Sequence, residues 1–210
     1  MQLVAYGAQD AYLTTDPEVT FFKVVYKRHT NFAMESMEQT LNGTANFNNK
    51  VVCKVSRNGD LMSSCYVETT LPAIALSESD NYVGRVGWRL LKQVELRVGG
   101  QMIDRQYSTW MHVWTELTHT TDQKALLDKL VGAKGTDGAV VADAAVSATT
   151  LNIPLLFSFC RNPGLALPLI ALQYHEVKVN LTTRPLGELV IGDDTAAPTG
   201  SLGCKLYVDY

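Results

Sequence analysis

The chain has 210 residues, 46% of them hydrophobic and 19% charged, with a formal net charge of −3 at pH 7. This is the balance of one or two globular domains large enough to bury a core without a disulfide staple. The slight acidity leaves no basic excess to release counterions, which excludes a general nucleic-acid coat.

The first 15 residues lack the basic start and apolar run of a secretory signal, and no window is apolar for the length of a membrane helix. Asp16-Pro17-Glu18 predicts a helix start, with Asp as cap, Pro at the first helical position and Glu near the positive end. Phe21, Phe22, Val25 and Tyr26 then share one face, with Lys23, Lys27 and Arg28 around it. Three bases offset by Asp10, Asp16 and Glu18 are too few for a nucleic-acid or membrane contact. Residues 1–32 therefore read as a helical arm that docks under the following domain or on a partner, through Phe21, Phe22, Lys23, Tyr26, Lys27 and Arg28.

Residues 33–210 read as strands and turns. Met34 to Leu41 is a poorly alternating strand closed by Asn42-Gly43, and Val51, Cys53 and Val55 alternate up to the turn Asn58-Gly59-Asp60. Cys65, Val67 and Leu71 line the next strand, which Pro72 ends, and residues 75–89 read as a polar loop. Val94, Leu96 and Val98 form a strand stopped by Gly99-Gly100.

Arg105 to Thr118 predicts a helix on which His112, Glu116 and His119 stand at the spacing of metal ligands on one face. Trp110, Val113, Trp114 and Leu117 occupy the opposite face, which is expected to be the buried one, so the His/Glu face should point to water. No second helix offers a matching ligand set, so no metal is expected.

Asp122 to Val131 predicts a second short helix, followed by a glycine-rich loop to Thr150 that lacks a Gly-Lys-Ser/Thr phosphate cradle. The stretch Ile153 to Leu181 is the most apolar of the chain. A strand is expected up to Cys160, a turn at Asn162-Pro163-Gly164, an apolar plug over Leu165 to Leu172, and a strand with Val177, Val179 and Leu181 on its inner face. His175 falls in the inward phase of Val177, the position of a hydrogen-bonded core histidine. Residues 182–202 form a loop before a last strand on Cys204, Leu206 and Val208.

The four cysteines fall in apolar surroundings without metal-ligand spacing, which predicts reduced, buried thiols. No nucleophile elbow, histidine cluster or cofactor motif is present. An all-β sandwich without site chemistry suits a structural subunit. A single jelly-roll carbohydrate-binding module is the alternative, but such modules display aromatics, whereas Trp110 and Trp114 fall on the helix face assigned to the core.

Several blocks carry a resemblance: Ala5 to Asp10, Thr20 to Lys23, Tyr26 to Phe32, Arg57 to Asp60, Gly99-Gly100-Gln101 with Ile103-Asp104, Pro163 to Val177, and Tyr207 to Tyr210. In family order they resemble the major capsid protein of large nucleocytoplasmic DNA viruses, the double jelly-roll family. The resemblance implies a jelly roll of two packed antiparallel sheets, with short helices in its loops. Three polypeptides of two rolls each would form a pseudo-hexameric capsomer. It also implies neighbouring capsomers and minor capsid proteins as partners, an internal membrane near the amino-terminal arm, no cofactor, assembly in the host cytoplasm and residence in the virion. On the family pattern the chain is expected to be the first of two rolls, because the last strand stops at Tyr210 without a polar tail.

Overall fold

A computed structural model of the chain describes residues 31–74, 81–132, 148–191 and 200–210. The predicted arm helix, with Phe21, Phe22, Lys23, Tyr26, Lys27 and Arg28, lies outside the described residues, as does most of the glycine-rich loop. Glu35–Tyr210 forms one compact unit.

Its strands, in chain order, are β1 (Ser36–Gln39), β2 (Leu41–Asn42), β3 (Lys50–Lys54), β4 (Leu61–Met62), β5 (Ser64–Leu71), β6 (Asn81–Tyr82), β7 (Leu91–Val98), β8 (Gln101–Tyr107), β9 (Thr149–Pro154), β10 (Leu167–Pro168), β11 (Val177–Thr183), β12 (Val190–Ile191) and β13 (Gly203–Asp209). Helices α1 (Val86–Leu90), α2 (Ser108–Thr118) and α3 (Thr121–Val131) sit among them. One sheet runs β1-β13-β5-β9 and the other β2-β3-β11-β7-β8. Among the eight principal strands the first pairs with the last (β1–β13), and then β3 with β11, β5 with β9 and β7 with β8, all antiparallel. This nested pairing is the winding of a jelly roll, as the resemblance implies.

The two sheets close over one core through strands that turn apolar side chains inward. On β5, Cys65, Val67, Thr69 and Leu71 are buried while Ser64, Tyr66 and Glu68 are partly exposed. Val51 and Cys53 of β3, Val177, Val179 and Leu181 of β11, and Leu206 and Val208 of β13 are likewise buried, in the phase the sequence predicts, and so are Leu151 and Ile153 of β9. Each such side chain contributes about 1.5–3 kcal/mol on leaving water. The turn between β7 and β8 is Gly99-Gly100, with φ of 59° and 85°, so both central positions need the left-handed region of a type I′ hairpin.

Three expectations are corrected here. Residues 75–89 are not simply a polar loop. Tyr82, Val83, Val86 and Trp88 are buried, and Val86–Leu90 is a helical turn pressed against β9. A Cβ on Gly87 would stand 2.9 Å from Ile153 Cγ1 and 3.0 Å from the Val131 carbonyl oxygen, so only glycine lets α1 sit this close. The helix predicted from Arg105 starts at Ser108, because residues 101–107 continue the ladder with β7. The strand predicted up to Cys160 ends at Pro154, after which burial still alternates through Leu155, Phe157 and Phe159 into a 3-10 turn at Ser158–Cys160. The second predicted helix is present as α3, opened by a capping box in which Thr120 N–H donates to Gln123 Oε1 at 3.0 Å.

Candidate functional site

Among the described residues no three His, Cys, Asp or Glu side chains are grouped to hold a metal ion. Of the His112, Glu116, His119 row, the first two are organised around a cation that the protein itself supplies. Arg85 donates from Nη1 to His112 Nδ1 at 2.8 Å and to Glu116 Oε1 at 2.6 Å, and from Nε to Asp128 Oδ1 at 2.8 Å. Lys124 Nζ adds a bond to Glu116 Oε2 at 2.7 Å. The arrangement clamps α1, α2 and α3 together. His119 takes no part, its Nδ1 facing Thr118 Oγ1 at 2.9 Å.

Lys124 and Arg85 hold the Glu116 carboxyl down at about 2, against an ordinary value of 4.5. A depressed carboxylate contributes stability that is complete above its unfolded value and is lost as pH falls through the folded one. The clamp should therefore weaken between about pH 4.5 and 2. Glu176, held down to about 2 by Lys178 and Lys54, titrates in the same window. The expected result is that Glu116→Gln flattens the acid limb of a urea-midpoint titration relative to wild type, leaving the parts of Glu176 and of Glu95, which its bonds from Asn180 and Arg105 also hold below the ordinary value. An acid limb of unchanged slope would refute the clamp.

The face of α2 that is buried is not the expected one. Ser108, Met111 and Thr115 are its buried residues, while Trp110, Val113 and Leu117 are 39%, 40% and 78% exposed. The reason is close approach. Small Ser108 and Thr115 let the helix lie against its neighbours, with Thr115 Oγ1 satisfied by the Met111 carbonyl and Ser108 Oγ by Arg184 Nη2. His112 and Glu116 are exposed as expected, but the apolar stripe is exposed as well. Trp114 is partly covered by Arg161, whose guanidinium stands 4.2 Å from its ring. The preceding strand β8, an edge of its sheet, adds exposed Met102, Ile103 and Tyr107.

The apolar plug of the sequence reading is also turned outward. Leu169 is buried and donates its N–H to the Asp60 carbonyl, but Leu165, Ile170 and Tyr174 are 58%, 72% and 89% exposed. His175 is exposed rather than a core residue. Arg57 holds this loop from outside, donating to the carbonyls of Leu172 and His175 at 2.6 and 3.0 Å and to that of Gln173. Hydrophobic pattern located both apolar segments; which side of them the fold leaves bare depends on side-chain size and packing partners that periodicity does not encode.

The described unit is thus a jelly roll with two apolar displays on its surface, the class of a building-block domain. Comparison with known proteins gives the particular family. The family described as the major capsid protein N-terminus matches residues 20–206, and the chain belongs to it. It is 49% identical to the major capsid protein of Pyramimonas orientalis virus, over all of this chain and 52% of that protein. It is 42% identical to the major capsid protein of Paramecium bursaria Chlorella virus 1, over all of this chain and 46% of that protein. Among solved structures, the PBCV-1 virus capsid superposes with a TM-score of 0.74 at 37% identity, over 91% of this chain and 45% of the other. The Faustovirus major capsid protein shares the fold, with a TM-score of 0.69 at 12% identity over 92% of this chain and 56% of the other. The chain spans about half the length of the curated relatives it matches. Membership of a capsid family carries a structural role and a place in the virion shell.

The expectation that counts against a carbohydrate-binding module is that Trp110 and Trp114 face the core. That ground fails, since Trp110 is 39% exposed; it is the family match that decides for a capsid protein.

Proposed function

We propose that this chain is a shell-building roll of a large DNA virus that packs against further copies through the outward stripe of α2 and the Pro163–Val177 loop. The observation that supports this most is that Trp110, Val113 and Leu117 stand in solvent on a unit whose core is otherwise closed. Exposed aromatic and branched side chains on an ordered helix are the material of an interface centre. In the whole capsid protein, two rolls per polypeptide and three polypeptides give a pseudo-hexameric capsomer. The amino-terminal arm, with Phe21, Phe22, Lys23, Tyr26, Lys27 and Arg28, engages minor capsid proteins on the inner side, close to an internal membrane. The protein catalyses nothing, binds no nucleic acid directly and assembles in the host cytoplasm.

Sedimentation velocity and negative-stain microscopy test the central part. Wild type should self-associate with rising concentration. Val113→Asp with Leu117→Asp should weaken that association roughly 10- to 100-fold, as loss of a buried interface anchor does. Their exposure predicts an unchanged urea midpoint. A wild type that stays monomeric, or a double variant that associates equally well, would refute the reading.

A further inference from the structure

Two cysteines that the shell-building role does not use stand face to face. Cys65 Sγ on β5 and Cys160 Sγ on the 3-10 turn after β9 are 3.8 Å apart, across 95 residues of chain. The segment that leads to Cys160 is tied to β5, since Leu155 N–H donates to the Cys65 carbonyl where the β5–β9 ladder ends. The turn is firm, with Cys160 N–H bonded to the Phe157 carbonyl and the Phe157 and Phe159 rings stacked at 5.6 Å. Cys65 is 2% exposed, whereas Cys160 is only half-buried and reachable from solvent.

We propose that Cys65 and Cys160 form a reversible redox pair, closed by a small-molecule disulfide such as oxidised glutathione, which staples β5 to the turn that carries Arg161. The remaining approach is short, from 3.8 Å to a bond of about 2.0 Å, within the reach of a side-chain rotation on a turn. This inference goes beyond shell building and does not rest on it.

The chemistry assigns the two sulfurs different roles. The neighbouring Cys65 thiol donates to Cys160 and holds its pKa below the ordinary thiol value, so Cys160, the accessible member, is the attacking thiolate. It attacks one sulfur of the glutathione disulfide. The S–S bond of the oxidant breaks, one glutathione leaves as thiolate and takes up a proton, and a mixed disulfide remains on Cys160. Cys65, whose pKa is raised chiefly by its hydrogen bond to Cys160 and by burial, is freed to react once Cys160 is capped. It loses its proton, attacks Cys160 Sγ and expels the second glutathione. The protein gives up two protons and two electrons, and the oxidant takes them up to become two thiols. Burial pushes the Cys53 and Cys204 thiols up to about 12 and about 11, and it is Cys65 that stands beside Cys160.

The staple also bears on the surface described above. Arg161 follows Cys160 directly and covers Trp114 at 4.2 Å, so fixing the turn fixes one edge of the α2 face.

The test equilibrates the full chain, in native buffer, with mixtures of reduced and oxidised glutathione. Intact mass should fall by the mass of two hydrogens, and non-reducing peptide mapping should join the peptides of Cys65 and Cys160. The Cys53→Ser, Cys204→Ser variant should behave the same way. Cys160→Ser, a near-isosteric change at a half-buried site and expected to fold, should form no link. Tm should rise on closure on the order of 5–10 °C and return on reduction with dithiothreitol, as a bridge across a long loop requires. A persistent glutathione adduct on Cys160 without a link overturns the proposal. So does a link that forms only in urea, or one joining Cys53 to Cys204.

Discussion

Replacing Trp88 with alanine is expected to lower unfolding stability by about 3–5 kcal/mol, the cost of deleting a large buried aromatic side chain. Trp88 is 2% exposed in the helical turn α1, edge-on to His112 with ring centroids 6.5 Å apart and with the Arg85 guanidinium 5.7 Å from its ring. It is the point where α1 reaches the core and where α2 leans on α1. Its loss removes a packing surface and loosens the ion-pair clamp above it. Trp88→Phe should cost within about 1.5 kcal/mol, because it keeps a ring in place. It also removes Nε1, a buried donor with no acceptor among the described protein atoms. Urea unfolding reads both variants, with an unchanged slope showing that the denatured state is the same. A Trp88→Ala midpoint equal to wild type would mean that the 81–90 segment is not part of the cooperative unit.

That segment shows where sequence reading of this chain stops. Residues 75–89 carry Ser, Glu, Asp, Asn and Gly at a density that reads as loop, and the five residues of α1 are too few for a helical period to emerge. The one strong signal there was Trp88 itself, since a tryptophan in a polar run wants cover. Long strands were legible because a two-residue period survives in a few side chains: Val51/Cys53, Val94/Leu96, Val177/Val179/Leu181 and Leu206/Val208 are all buried where predicted. Their pairing was not written in the pattern, and the jelly-roll winding came from the resemblance. The candidate surface was half-legible. Both apolar segments were located, yet each was assigned to the core, because an apolar stripe says that something covers it and not whether that something is this domain. In α2 the decision fell to Ser108 and Thr115, polar but small enough for close packing. His175 failed for a related reason. It sits in phase with Val177, but Glu176 and everything before it lie beyond the end of β11, where the strand's alternation no longer applies.

The second large effect is expected at Arg57. Its guanidinium donates to the carbonyls of Leu172, Gln173 and His175, three acceptors on one turn of chain between β10 and β11, of which Leu172 also accepts from the His175 N–H. A planar fork with donors on two nitrogens meets such a cluster, whereas a lysine ammonium is a single point that cannot reach all three. Charge-assisted hydrogen bonds are worth about 1.5–3 kcal/mol each when buried. Arg57 is exposed, so water takes over part of the work and the net local effect should be about 1–3 kcal/mol for Arg57→Ala. The loss should stay local, because Leu169 still anchors the loop through its buried side chain and its bond to Asp60. Hydrogen exchange is the suitable measurement. The amides of Leu172 and His175, bonded to the Leu169 and Leu172 carbonyls, should lose protection roughly 10- to 100-fold, while β11 amides keep theirs. Arg57→Lys should recover part of that protection and not all of it. Wild-type protection at Leu172 and His175 in the alanine variant would show that the loop is held by its own turns and that Arg57 is incidental. If protection falls as expected, the exposed Leu165, Ile170 and Tyr174 lose their fixed positions. Self-association should then weaken with the fold intact, because ordering a loose loop on contact takes free energy that a preorganised one retains.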